Sequence, residues 1–207
     1  MTAWTRVTAP AVEPINLIAA KAQARITHEN SDELLSGYIT MAREAAEDYM
    51  ARGLFTQTWQ LVRDRFADVM SLPMAAPLQN DALASPSTAP VVQYYDVNGV
   101  LQTLATTFYT VDTVSRPGRI VRAPAQAWPA LQADRLSGAV LITYVVGWTD
   151  VADIPERIKQ GIKMYVAYLD ADREGMHDYA AQARASAEAC WSDRVYYVER
   201  CDELAYS

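Results

Sequence analysis

Between Leu54 and Val146 the sequence is dominated by β-forming stretches, and helical sequence brackets it on both sides. This arrangement limits the possible folds more than any other feature of the 207-residue chain. Strands alternating with helices would predict a doubly wound parallel sheet, whereas strands gathered into one block predict an α+β fold with an antiparallel sheet. The expected layout is a single domain over 1–207. It has helices within 16–52 and 154–192, an antiparallel β-insertion over 54–147, and a C-terminal arm over 194–207.

The N-terminal helical part reads as two segments. Asn16 precedes the run Leu17–Arg25, whose Ala, Leu and Lys residues favour helix, and an Asn there can cap it. Thr27, His28 and Glu29 form a turn. A longer helix is expected from Ser31 to Arg52, with Asn30 and Glu33 spaced as a capping box. Leu34, Tyr38, Met41, Ala45 and Tyr49 recur at spacings of three and four and form the expected core stripe. Leu35, Ile39, Ala42 and Ala46 widen it. Gly53 stands where a left-handed stop is expected.

In the central block, Leu54–Arg63 and Val91–Val97 are rich in β-formers. Val91–Val97 runs into Asn98-Gly99, the dipeptide best suited to a two-residue hairpin turn, with a returning strand over Val100–Leu104. Met70–Leu72 reads as a short strand ended by Pro73. Phe108–Asp112 and Arg119–Arg122 flank a turn at Pro117-Gly118. Ala139–Val146 is a near-continuous apolar run, as expected of a central strand or one covered on both faces. Pro73–Pro90, with four prolines among small and polar residues, reads as irregular.

Helix returns after Asp153, where Asp153 and Glu156 are spaced as a capping box with Pro155 in the first turn. Ile158, Ile162, Tyr165, Val166 and Leu169 form its core stripe, and Gly175 stops it. A final Ala-rich helix is expected from His177 to Ser192.

The residues also narrow the chemistry. No apolar segment follows Met1–Arg6 as a secretory signal would require, and no stretch approaches the ~18 apolar residues of a membrane span. A soluble chain made in a cytoplasm is the expectation. Cys190 and Cys201 are expected as reduced thiols in that compartment, and a disulfide has no support. His28 and His177 lack Cys or His partners at ligand spacing, so no metal site is expected. The glycine-rich, nucleophile-elbow and zinc-protease motifs are absent. Asp32-Glu33, Glu44/Glu47/Asp48 and Asp170/Asp172 could serve acid–base chemistry, but acids at helical spacing ordinarily form a solvated face. No cofactor is expected. With 25 acidic against 18 basic residues, the net charge of −7 argues against a chain that grips nucleic acid by counterion release. From Val151 to the end there are 11 acids and 7 bases. Such a surface suits either plain solvation or a polyanion passing nearby without sticking.

The pieces follow one another in a recognisable order. Two helices precede Gly53–Trp59, then Leu72-Pro73, Pro77–Gln79 and the hairpin Tyr95–Gly99. Phe108–Asp112 and Arg116–Ile120 come next, and Ile142–Trp148 and Asp153–Ile162 close the series. In this order the chain resembles the head–tail connector, or adaptor, family of tailed bacteriophages and gene transfer agents, over roughly Pro14–Glu174. The segment Asn80–Pro90 is longer than the family's usual link, and the residues after Gly175 match no family pattern.

The resemblance implies a structural, non-enzymatic virion protein of the neck. Such subunits form a ring, commonly of about twelve copies, beneath the portal. The ring extends the DNA channel and seats a stopper or tail protein, and duplex DNA passes through it without specific binding. Arg194, Tyr196, Tyr197 and Tyr206 are the expected portal-docking residues. Five Trp and twelve Tyr against three Phe suit either partly wet contact surfaces or a mixed core. Another neck or tail-completion protein, a stopper or tail terminator, is the alternative. A small cytoplasmic enzyme using Glu44 or Asp48 is the more distant one.

Overall fold

The computed structural model describes residues 2–74, 89–113, 115, 117–173 and 175–192. Its elements are β1 (Thr2–Thr8), α1 (Leu17–Ala24), α2 (Asp32–Met50), β2 (Gln57–Arg63), β3 (Val69–Ser71), β4 (Val91–Tyr95), β5 (Leu101–Thr103), β6 (Tyr109–Asp112), β7 (Arg119–Arg122), β8 (Val140–Val146), α3 (Glu156–Arg173) and α4 (His177–Trp191). Among the described residues, four helices and antiparallel sheets bear out the α+β expectation. The elements sort into two units, Met1–Ala11 with Thr56–Trp148, and Val12–Phe55 with Thr149–Ser207.

The β unit holds a five-stranded sheet in the order β1-β2-β8-β4-β5 and a three-stranded sheet in the order β3-β7-β6. The apolar run at β8 takes the central position, as its sequence predicts. Along it Val140, Ile142, Tyr144 and Val146 are buried, one residue in two. They join Leu61, Met70, Leu72, Val92 and Ile120 in one apolar core. Tyr144 is almost completely buried there, at 1% exposure. Its hydroxyl donates to the Pro73 carbonyl at 2.7 Å, and burial pushes its pKa up. Thr56 closes the base of the sheet, its backbone N–H and its hydroxyl both donating to the Trp148 carbonyl at 3.0 Å.

The hairpin forms where Asn98-Gly99 predicts it, but with a different loop. Tyr95 pairs with Leu101, and the Asp96 N–H donates to the Val100 carbonyl, which leaves a three-residue loop, Val97–Gly99. Only Gly99 takes the left-handed conformation (φ +76°), which fits a type I turn closed by a left-handed residue. The cause is Asp96: its Oδ1 accepts from the N–H groups of Asn98 (2.9 Å) and Val100 (3.0 Å), and its Oδ2 accepts from Gln102 Nε2. Strand β1 has no counterpart in the expectations.

In the helical unit, Asn16 caps α1 as expected, its Oδ1 accepting from the Ala19 N–H at 2.8 Å. The Asn30/Glu33 box does not form. Helix α2 begins at Asp32, so Ser31 takes the cap position without a side-chain bond. Asp32 instead binds Lys21 Nζ of α1 at 2.7 Å. At the other end Ala51, not Gly53, adopts the left-handed stop (φ +51°). Before α3 the capping acid is Asp150, which accepts from the Ala152 N–H, while Asp153 lies inside the 3₁₀ turn Val151–Asp153. Gly175 (φ +78°) ends α3 as predicted, with the Met176 N–H donating back to the Ala171 carbonyl.

Burial on α2 is the reverse of the expected order. The buried stripe is Leu35, Ile39, Ala42 and Ala46, while Leu34 and Met41 are exposed. On α3, Ile158, Ile162 and Val166 are buried as predicted. On α4, Ala180, Ala183, Ala187 and Trp191 are buried. The Trp191 ring meets Tyr165 at 5.5 Å and Tyr49 at 5.9 Å.

Candidate interaction surfaces

Two charged residues are built into the buried side of α2. Arg43 and Glu47, one helical turn apart, are each about 3% exposed, and Arg43 Nη1 lies 2.8 Å from Glu47 Oε2. Arg43 Nε also reaches Glu13 Oε2 at 2.9 Å, and Glu44 stands 3.6 Å from Arg43 Nη2. Burial works against the Arg43 charge, but Glu47, Glu13 and Glu44 outweigh it and hold its pKa above the usual arginine value. The second Glu47 oxygen accepts the Leu54 N–H at 2.9 Å, tying the segment after the helix back to its last turns. Of the carboxylates weighed for acid–base chemistry, Glu47 is therefore engaged in holding the fold. Glu44 is partly exposed beside Arg43, and Asp48 is exposed.

With its inner side fixed by that network, α2 turns a second apolar face outward. Leu34 and Met41 are exposed on it, and Gly37 lies between them. A methyl group at Gly37 would meet nothing within 4 Å. Tyr38 and Ala45 lie on the same helical face, partly buried.

Among the described residues of the β unit, two groups of exposed apolar side chains lie at the edges of its large sheet. At one edge of its large sheet, β1 pairs with β2 in antiparallel register, Trp4 opposite Leu61 and Arg6 opposite Trp59. None of the side chains from Ala3 to Thr8 is buried; Trp4 is 54% and Val7 57% exposed. At the other edge, the β4–β5 hairpin exposes Val97, Val100 and Leu101 around its tip.

The expected docking residues Arg194, Tyr196, Tyr197 and Tyr206 lie outside the described residues, as does the proline-rich stretch over residues 75–88. Cys190 is a free thiol, and Cys201 lies outside the described residues. His28 is exposed, and exposed His177 stands 3.3 Å from Asp172. Among the described residues, no group of three or more His, Cys, Asp or Glu is placed to hold a metal ion, and no helix is long and apolar enough to cross a membrane. The surface positions that sequence reasoning missed are Trp4, Val7 and the outward role of Leu34 and Met41. Gly37 was the available signal, since a glycine amid good helix formers is costly unless its face needs the space.

Residues 14–82 match the Phage gp6-like head-tail connector protein family. That stretch spans α1, α2 and β2–β3, and it bears out the resemblance read from the order of the sequence segments. Solved structures agree in fold over a longer range. A chain in the neck of an empty gene transfer agent particle, computed with C6 symmetry, superposes with a TM-score of 0.61 at 19% identity, covering 80% of this chain and 82% of that one. A chain in the virion of a native gene transfer agent particle gives 0.59 at 19% identity, over 79% and 81%. One in the neck of a native particle, computed with C12 symmetry, gives 0.57 at 20% identity, over 80% and 81%. No curated protein matches the chain.

Proposed function

We propose that this chain is a structural head–tail connector of a virion neck. One observation carries the reading: a connector-family match at residues 14–82 lies inside a fold that superposes, over about four fifths of its length, on chains from gene transfer agent particles. The two units act together as one connector subunit. Copies assemble into a ring beneath the portal, in the number that the C12 symmetry of a similar neck suggests. The ring extends the DNA channel and passes the load to a stopper or tail protein.

The role is mechanical and not catalytic. Its charge supports it: a chain of net −7 that lines or borders a DNA path repels the duplex weakly and lets it slide. The helical unit contacts portal, and the hairpin tip with Val97, Val100 and Leu101 faces a neighbour or the tail-side partner. The arm over 194–207, with Arg194, Tyr196, Tyr197 and Tyr206, docks on portal.

Deleting residues 194–207 tests the arm. The truncated chain is expected to keep the thermal melting of the full chain and to lose attachment to portal. Truncated chain that joins filled capsids at the normal level contradicts the docking role.

A further inference from the structure

We propose that β1 of one copy packs on the outward face of α2 of the next copy, and that this contact closes the ring. The inference rests on the ring reading above and names the surfaces that make it. A ring of identical subunits needs two different patches per copy that fit each other. The chain offers two such patches in different units.

The first is β1, a strand that buries neither face. It is held to its sheet by the ladder to β2. A strand gains most of its stability from side-chain packing against neighbours, and β1 leaves Trp4 and Val7 in solvent. An exposed edge strand carrying a tryptophan offers another chain a surface to cover. The second patch is the α2 face of Leu34, Gly37 and Met41. The open space over Gly37 lets a partner reach the helix backbone.

Charge selects β1 as the occupant. Residues 1–12 contain Arg6 and no acid, whereas Glu33, Glu44 and Asp48 flank the α2 face. The same contrast holds for whole units. The unit carrying β1 has 7 basic and 6 acidic residues, net +1; the helical unit has 11 and 19, net −8. The hairpin tip is another apolar group in the same unit, but it carries Asp96 at its base and would set like charge against the acidic flanks of α2. Opposite charge at the rim speeds encounter and fixes register, while the apolar residues between supply the buried contact.

The test uses particles assembled with full-length chain in which Cys190 and Cys201 are replaced by Ser and Trp4→Cys is combined with Met41→Cys. Treatment with a short bismaleimide is expected to give a ladder of covalent multimers on a denaturing gel, and neither single-cysteine variant is expected to give one. Normal incorporation without a ladder overturns the proposed contact and leaves the ring reading standing. Absence of the unaltered chain from purified particles overturns the ring reading and the contact with it. A second variant, Met41→Glu, changes an exposed side chain, so its melting temperature should stay unchanged while its incorporation falls at least tenfold. Unchanged melting with unchanged incorporation overturns the contact.

Discussion

Trp191 of α4 fills the space that a side chain at Gly161 of α3 would need. A methyl group on Gly161 would stand 2.7 Å from Trp191 Cδ1 and 3.0 Å from Cys190 Cβ. The indole is buried, and its N–H donates to the Ile158 carbonyl at 3.4 Å, one turn before the glycine. The two helices thus lie close because one residue has no side chain and the other has a large flat one. Gly161→Ala should lower stability by about 1–3 kcal/mol, the usual cost of overpacking a well-filled core. Chemical denaturation of the two proteins checks it, and an unchanged midpoint would mean that the helices move apart without cost.

Arg43 and Glu47 make a second prediction. Removing one partner of a buried pair leaves the other charge uncompensated, so Arg43→Met should destabilise the fold by about 3–5 kcal/mol. Adding Glu47→Leu removes the stranded carboxylate, and much of that loss should be recovered. Full recovery is not expected, because the Leu54 N–H then loses its acceptor, at about 1–3 kcal/mol. A double-mutant cycle by urea unfolding gives both terms.

Asp96 should make the hairpin sensitive to acid. The Val100 N–H, then the Gln102 side chain and the Asn98 N–H, hold its carboxyl below the ordinary aspartate value, against a smaller effect of burial. A carboxylate whose folded pKa is depressed stabilises the fold above its unfolded pKa. That contribution is lost as pH falls through the folded value. The amide resonances of Asn98 and Val100 should therefore shift together below the ordinary aspartate pKa, and Asp96→Asn should abolish the shared transition. Amides that titrate independently of Asp96 would contradict this account of the loop.

Much of the fold was legible in the residues, for physical reasons that differ between elements. The β8 run and the hairpin dipeptide act locally, and both lie where they were expected. On α2, two adjacent stripes both satisfy a spacing of three and four, so periodicity could not say which one faces the core. What packs against the helix decides that, and it chose Leu35, Ile39, Ala42 and Ala46. Strand β1 was not legible because a strand exposed on both faces carries no alternation of apolar and polar residues. The Arg43–Glu47 pair reads in sequence as an ordinary surface pair at helical spacing. Only Glu13, thirty residues before Arg43, and the Leu54 backbone reveal that it is enclosed.

Light scattering of the isolated chain, and then of its mixture with purified portal, tests the neck-connector reading most directly. The reading predicts a 23.0 kDa monomer alone and, with portal, a complex whose added mass corresponds to a full ring of copies. A mixture in which portal gains no mass from the chain would contradict it.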